Sequence, residues 1–279
     1  MSPASTESTA GSHQRVSARG GLAVKRLDGR SRLHRLYQEG AAKIRMPART
    51  GDPLEAVLIN TAGGLTGGDR LTWNVDMAAG TSAVLTTQAC EKVYRASDGH
   101  ADVSMTATIG SDARLAWLPQ ETIVFDQAAF ARTLSVDLAE GAGALILEAT
   151  VFGRLAMGEN VHRAMFRDRW RIRSRGELVH AEDFSVGPHV SETLRQSATA
   201  AGGAAMATLL LVCDDAATRL DAVRDVLAGE GAASAWTVGR TGKLLARLVA
   251  SDGYTLRHRL LPLVELLNGQ AGLPKVWSL

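Results

Sequence analysis

Four glycines fall within six residues, Gly63, Gly64, Gly67 and Gly68, directly after the apolar run Ala56 to Ile59. Glycine at that density marks left-handed backbone, or backbone packed where a Cβ has no room. The first chemistry this suggests is phosphate binding, because Gly63 and Gly68 have the spacing of the outer glycines of a Walker A loop. Charge rules against it. The lysine that should follow Gly68 is Asp69, and the magnesium-binding Ser or Thr is Arg70. A carboxylate there repels the phosphates such a loop exists to neutralise. The Rossmann pattern G-x-G-x-x-G fails as well, since Leu65 stands at its second glycine. The stretch is read as a structural turn or a docking surface. A second Walker-like stretch carries Thr237 at the first glycine and Leu244 at the metal-binding hydroxyl, and is read as a turn between strands.

Other catalytic patterns are missing. The seven histidines form no H-x-H or H-E-x-x-H pair, the two cysteines no C-x-x-C, and no G-x-S-x-G elbow occurs. Cys90 has Lys92 close by, which favours a thiolate, but no His or Asn is placed to complete a dyad. A small packing residue is the favoured reading, with Lys92 and Arg95 on a polar docking face. Four carboxylates, Glu121, Asp126, Glu148 and Glu159, adjoin apolar strands or Gly-containing turns. Buried carboxylates are costly unless paired, coordinated or hydrated. Taken singly, each is solvent-facing or paired with Arg114, Arg132, Arg154 or Arg163. Taken together, they could line a wet interior path for a hard or borderline cation. Asp183, in the run His180-Ala-Glu-Asp183, is a solvated strand end or a further ligand. The competing enzymatic reading is a β-solenoid hydrolase with Glu121 and Asp126 as its paired carboxylates.

The elements that must hold these residues are mostly strands. Period-2 alternation runs through Leu71–Met77 and Ser82–Thr87, Asp102–Ile109 and Arg114–Leu118, Thr133–Leu138 and Leu145–Val151, and Trp170–Arg173 and Leu178–Ala181. Each pair is split by a glycine turn at Gly80, Gly110, Gly141 or Gly176, about 30 to 35 residues apart. That rhythm without sequence identity predicts a mainly β body, solenoid-like or sandwich-like, and spacing alone leaves both layouts open. Helices are expected only in the later half. They are Ala216–Ala228, Ser191–Ala200 capped by Ser191, and a segment within Thr255–Leu267 with Pro262 in its first turn and Gly269 closing it. Trp277, near the chain end, is expected to dock on the body.

Composition narrows the classes further. With 279 residues, 31 basic and 29 acidic, the net charge is +2 and aromatic content is 5%. Nothing in that balance favours nucleic acid or an anionic membrane. The longest apolar run, Met206–Cys213, falls short of the ~20 residues a membrane span needs. Met1–Gly20, rich in Ser, Thr and Ala, is read as a disordered tail and residues 21–279 as one domain. Two widely spaced cysteines suit a reduced, cytoplasmic setting.

Several ordered blocks also resemble the urease accessory protein UreD family, called UreH in some organisms. They are N60-T-A-G-G-L-T-G-G-D69, T86-T-Q-A-C-E-K-V-Y-R95, W117-L-P-Q-E-T-I-V-F-D126, G153-R-L-A-M-G-E159 and the ending L273-P-K-V-W277. Cys90 and Glu91 depart from the family's pattern, which usually has small or uncharged residues there. The resemblance implies a β-helix-like fold with no catalytic residues and no stably bound cofactor. It implies a chaperone that works with UreF and the GTPase UreG on the urease apoprotein (UreABC), with nickel in transit as cargo. On that reading Glu121, Asp126, Glu148, Glu159 and Asp183 are candidate waypoints for nickel. Gly63, Gly64, Gly67, Gly68, Asp69, Lys92, Tyr94 and Arg95 are candidate partner contacts.

Overall fold

The computed structural model describes residues 15–47, 51–154 and 157–278. Its body is a flattened β-solenoid of about four turns. One sheet contains β1 (Ser17–Leu27), β5 (Arg70–Met77), β8 (Ala101–Ile109), β11 (Ala129–Leu138) and β13 (Met165–Ser174), all parallel. Its antiparallel edges are β2 (Arg30–Glu39) and β14 (Glu177–Val186). The second sheet stacks β4 (Leu54–Asn60), β6 (Ser82–Thr87), β9 (Arg114–Trp117) and β12 (Gly143–Phe152) in parallel, with β3 (Ala42–Arg45) outside β4. Beyond β12 it continues antiparallel through β15 (Ala205–Val212), β17 (Thr241–Ala250) and β16 (Ala232–Val238).

The burial pattern explains why two kinds of sheet form. In β5, Leu71, Trp73, Val75 and Met77 point inward while the residues between them face water, and β8, β11 and β13 follow the same phase. Strand β12 is buried along nearly its whole length because the second sheet is covered on both faces. One face meets the first sheet through Leu85, Leu115 and Ile146. The other carries Leu145, Leu147 and Leu209 under the helices α2 (Leu220–Leu227) and α3 (Gly253–Asn268). The solenoid layout, left open against a sandwich by spacing, is settled by the parallel registers. No helix among the described residues is long and apolar enough to cross a membrane.

Local expectations fared unevenly. Gly80, Gly110 and Gly141 do lie where the chain passes from one sheet to the other, but Gly176 closes the antiparallel β13–β14 hairpin within one sheet. Strand β1 starts at Ser17, inside the stretch read as tail; residues 1–14 lie outside the described residues. The 216–228 segment is a short 3-10 turn, Ala216–Arg219, running into α2. Ser191 is no cap: α1 spans Val190–Arg195 behind His189, and Ser191 Oγ donates to Val161 O at 2.6 Å. Pro262 lies deep inside α3, whose start is set by Asp252 accepting from the Thr255 N–H at 2.8 Å. Gly239 sits in the tight turn between β16 and β17, as expected.

Candidate functional site

A third, narrow face closes the solenoid on one side. Strand β7 (Glu91–Val93) pairs in parallel with β10 (Thr122–Val124), and β10 pairs with the end of β12 at Thr150–Phe152. A parallel bridge between Leu65 and Val93 adds the first rung. Leu65, Val93, Val124 and Phe152 therefore stack as one buried row, one residue from each successive turn. Each sits inside one of the stretches 60–69, 86–95 and 117–126, or immediately precedes 153–159. Segments far apart in sequence thus become neighbours on one face.

The glycine stretch is sewn to this face by its backbone. The N–H of Leu65 donates to Lys92 O at 2.7 Å, and Tyr94 N donates back to Leu65 O at 2.8 Å. A Cβ on Gly64 would lie 2.4 Å from the Tyr94 ring, and one on Gly67 would lie 2.0 Å from Asp98 O. These two glycines permit close backbone approach, while Gly63 and Gly68 are exposed. Asp69 is 3% exposed and accepts from Val16 N at 2.7 Å and Thr66 N at 2.8 Å. Its carboxylate pins the loop to the start of β1, which gives the residue incompatible with a phosphate loop a structural task.

Outside the row stands a small exposed group. Tyr94 is 42% exposed with its ring 5.0 Å from Phe125, and the Arg154 guanidinium lies 4.6 Å from the Phe125 centroid. Arg154 Nε also pairs with Glu159 Oε2 at 2.6 Å. Lys92 and Arg95 are exposed beside Tyr94, and among the described residues neither forms an ion pair. Asp126 Oδ1 accepts from the N–H groups of His162 and Arg163 at 2.8 and 2.9 Å. Partial burial opposes ionisation there, but those two N–H donors hold the Asp126 carboxyl below its ordinary range.

The chain end docks at the neighbouring rim. Trp277 is buried and its Nε1 donates to Thr86 Oγ1 at 2.9 Å. Arg257, from α3, stacks 4.9 Å from the Trp277 ring and bonds Glu121 at 3.1 Å. The same Glu121 accepts from Cys90 Sγ at 3.3 Å. Burial first, and Glu121 second, push the Cys90 thiol up to about 12, so it is no nucleophile at neutral pH. Glu121 and Asp126 flank β10 with their oxygens already committed, and no open pair of acid and base forms between them.

Glu148 belongs to a different place. It lies between the two main sheets with Arg132 and Asp168, all three at most 6% exposed. Arg132 grips Asp168 in a fork, Nε–Oδ1 at 3.1 Å and Nη2–Oδ2 at 2.6 Å, and also pairs with Glu148. Trp117 Nε1 donates to Glu148 and Trp170 Nε1 to Asp168, each at 2.9 Å. Burial, helped by Asp168 and opposed by Arg132, raises the Glu148 carboxyl. The group borders a cavity of about 140 Å³ that Glu182, Thr208 and Arg247 also line. Sequence reasoning passed over Asp168 and met Glu182 only as a member of the His180–Asp183 run. The signal for Asp168 was a charge in the inward phase of β13, between Phe166 and Trp170.

The five candidate waypoints are thus dispersed. Glu148 is interior, Glu121 lies under the chain end, Asp126 and Glu159 share the exposed corner, and Asp183 lies on the outer face of the first sheet. Among the described residues no group of three or more His, Cys, Asp or Glu side chains is arranged to hold a metal ion.

Comparison with known proteins settles the lineage. The family model for the UreD urease accessory protein matches residues 16–278. The chain belongs to the UreD family. It is 62% identical over 266 residues to the urease accessory protein UreD of Mesorhizobium japonicum, covering 95% of each chain. It is 56% identical to UreD 1 of Brucella melitensis biotype 1, again over 95% of each, and to UreD 1 of Brucella anthropi over 96% of each. The family match runs through the narrow face and the docked chain end alike.

Proposed function

We propose that this protein is a non-enzymatic scaffold for urease maturation, acting with UreF and the GTPase UreG on the urease apoprotein to load nickel. The observation that supports it most is convergence. Four blocks of family-like sequence meet on one narrow face that exposes Tyr94 beside two cations, Lys92 and Arg95, which form no ion pair among the described residues. An exposed aromatic flanked by cations suits a protein interface better than a core. Nickel is the cargo of this process. The carboxylates of the inter-sheet cavity, Glu148 with Asp168 and Glu182, are hard oxygen donors suited to brief contact with a divalent ion. Arg132 already neutralises part of their charge, which fits passage better than storage. The setting we assign is the cytoplasm, without nucleic acid or membrane as partner.

The test is co-expression of the urease subunits and accessory proteins with and without this chain, followed by metal analysis of the purified urease. Nickel-loaded, active urease is expected only with the chain present. Equal nickel content in its absence would remove the proposal.

A further inference from the structure

On the outer face of the first sheet, β13 presents Arg167, Arg169, Arg171 and Arg173 at alternate positions. The alternation is forced, since Phe166, Asp168, Trp170 and Ile172 occupy the inward phase and are buried. Four guanidinium groups therefore stand in one line, each about 6.6 to 6.8 Å of strand from the next. Most of their neighbours in register are short, Leu178 beside Arg173 being the large exception. Ala131, Thr133 and Ser135 flank them on β11, and Ser185 and Ala181 on β14. The arginines form a ridge with low ground on either side.

The ridge is poorly neutralised. Asp183 alone meets three of the four, with Arg167 Nε at 3.1 Å, Arg169 Nε at 3.2 Å and Arg171 Nη2 at 3.8 Å. Arg171 also donates to the carbonyls of Trp170 and Glu182, which fixes its plane against the strands. Arg173 forms no ion pair among the described residues, although Asp137 is its register neighbour. An ordinary solvated strand face mixes signs. This one carries four positive charges on a single strand in a chain whose net charge is only +2.

We propose that this arginine ladder is a docking strip for an extended acidic segment of another protein. An extended peptide repeats its same-face side chains at the spacing of the ladder, so alternate carboxylates can meet successive guanidiniums. Arginine suits the task because its planar fork is weakly hydrated and binds carboxylates bidentately. Asp183 occupies three of the forks, so an incoming carboxylate competes with it for them. Nucleic acid fits less well, because the outward residues of β11, β13 and β14 include no aromatic to stack on bases. A lipid surface fits less well too, since the large apolar side chains there, Met165 at 57% and Leu178 at 49% exposed, stand singly at opposite ends of the strip and form no continuous apolar face. The strip is separate from the narrow face and stands independently of the maturation reading.

The probe is a fluorescein-labelled ten-residue peptide of alternating Glu and Ser, titrated with the full chain by fluorescence anisotropy. Binding is expected at low salt and weakens as salt rises. Arg169→Gln with Arg173→Gln is expected to weaken binding about tenfold, as exposed charge pairs of ordinary strength would. Arg30→Gln with Arg32→Gln, at the far edge of the same sheet, should leave binding unchanged. Asp183→Asn frees the ladder and should tighten binding several-fold, an outcome no loss of folding can imitate. The proposal is overturned if the peptide does not bind at low salt, or if the far-edge pair matters equally. Weaker binding by the Asp183→Asn protein, or a preference for phosphatidylserine vesicles or duplex DNA over the peptide, overturns it as well.

Discussion

Glu91 accepts from Asn60 Nδ2 at 3.1 and 3.2 Å, and no ion pair reaches it among the described residues. Burial pushes its carboxyl up from 4.5 to about 7. The folded protein then keeps a proton that the unfolded chain releases near pH 4.5. Stability from this source is full below about pH 4.5 and is lost as pH rises to about 7, by an amount on the order of 2 to 3 kcal/mol. Glu91→Gln keeps the Asn60 contact and removes the titration. Urea denaturation at pH 5 and pH 8 should show a smaller drop for the variant than for the parent. An identical drop in both would assign the pH dependence to groups other than Glu91, and His180, which burial lowers to about 4, is not among them. The sign separates the two. A depressed histidine loses stability as pH falls through 6.5 toward 4, whereas Glu91 loses it as pH rises.

At the scale of elements, alternation was the most legible feature, because a strand between two packed faces must place apolar side chains every second residue. That signal located β5, β6, β8, β9, β11, β12, β13 and β14. It could not tell a sheet-to-sheet corner from a hairpin, since Gly176 and Gly141 look alike locally and differ only in which strand pairs next. Pro262 misled for a similar reason. Its missing N–H and crowding ring argue for a first turn, but Leu256, Leu260, Leu263 and Val264 bury the helix on both sides of it. Tertiary packing overrode the local preference. The glycine stretch offers a test of which positions are built for close approach. Gly67→Ala sets a Cβ 2.0 Å from a backbone oxygen that has no rotamer to escape with. Gly63→Ala, at φ +78° with open space around it, meets only the left-handed strain. The expected losses are about 3 kcal/mol or more for Gly67→Ala and roughly 1 kcal/mol for Gly63→Ala. Thermal denaturation of the two proteins orders them, and equal losses would mean the 96–98 segment yields freely.

The whole molecule divides its polar groups between holding the solenoid together and facing outward, and little of that division could be read from the chain. Arg132, Glu148 and Asp168 come from three strands and meet only because parallel register stacks β11 on β13 and packs both against β12. Glu121 finds Arg257 across 136 residues of sequence. No local pattern announces either pairing. The blocks at 60–69, 86–95, 117–126 and 153–159 were legible as blocks, while their convergence follows from the solenoid returning once per turn. This gives a way to separate fold from docking. Trp277→Ala removes a buried ring that bonds Thr86 and stacks under Arg257, and should cost about 3 to 5 kcal/mol. Lys92→Glu with Arg95→Glu changes charges that are exposed and, among the described residues, unpaired, and stability should stay within about 0.5 kcal/mol of the parent. If the narrow face docks urease or its accessory proteins, the second variant loses urease activation and pull-down of those partners while melting at the parent temperature. The first loses activation only in proportion to its unfolded fraction, and recovers it on cooling or on raised expression. A Lys92→Glu/Arg95→Glu protein that activates urease fully would move the docking surface off the narrow face and leave these residues as mere solvated ends of β7.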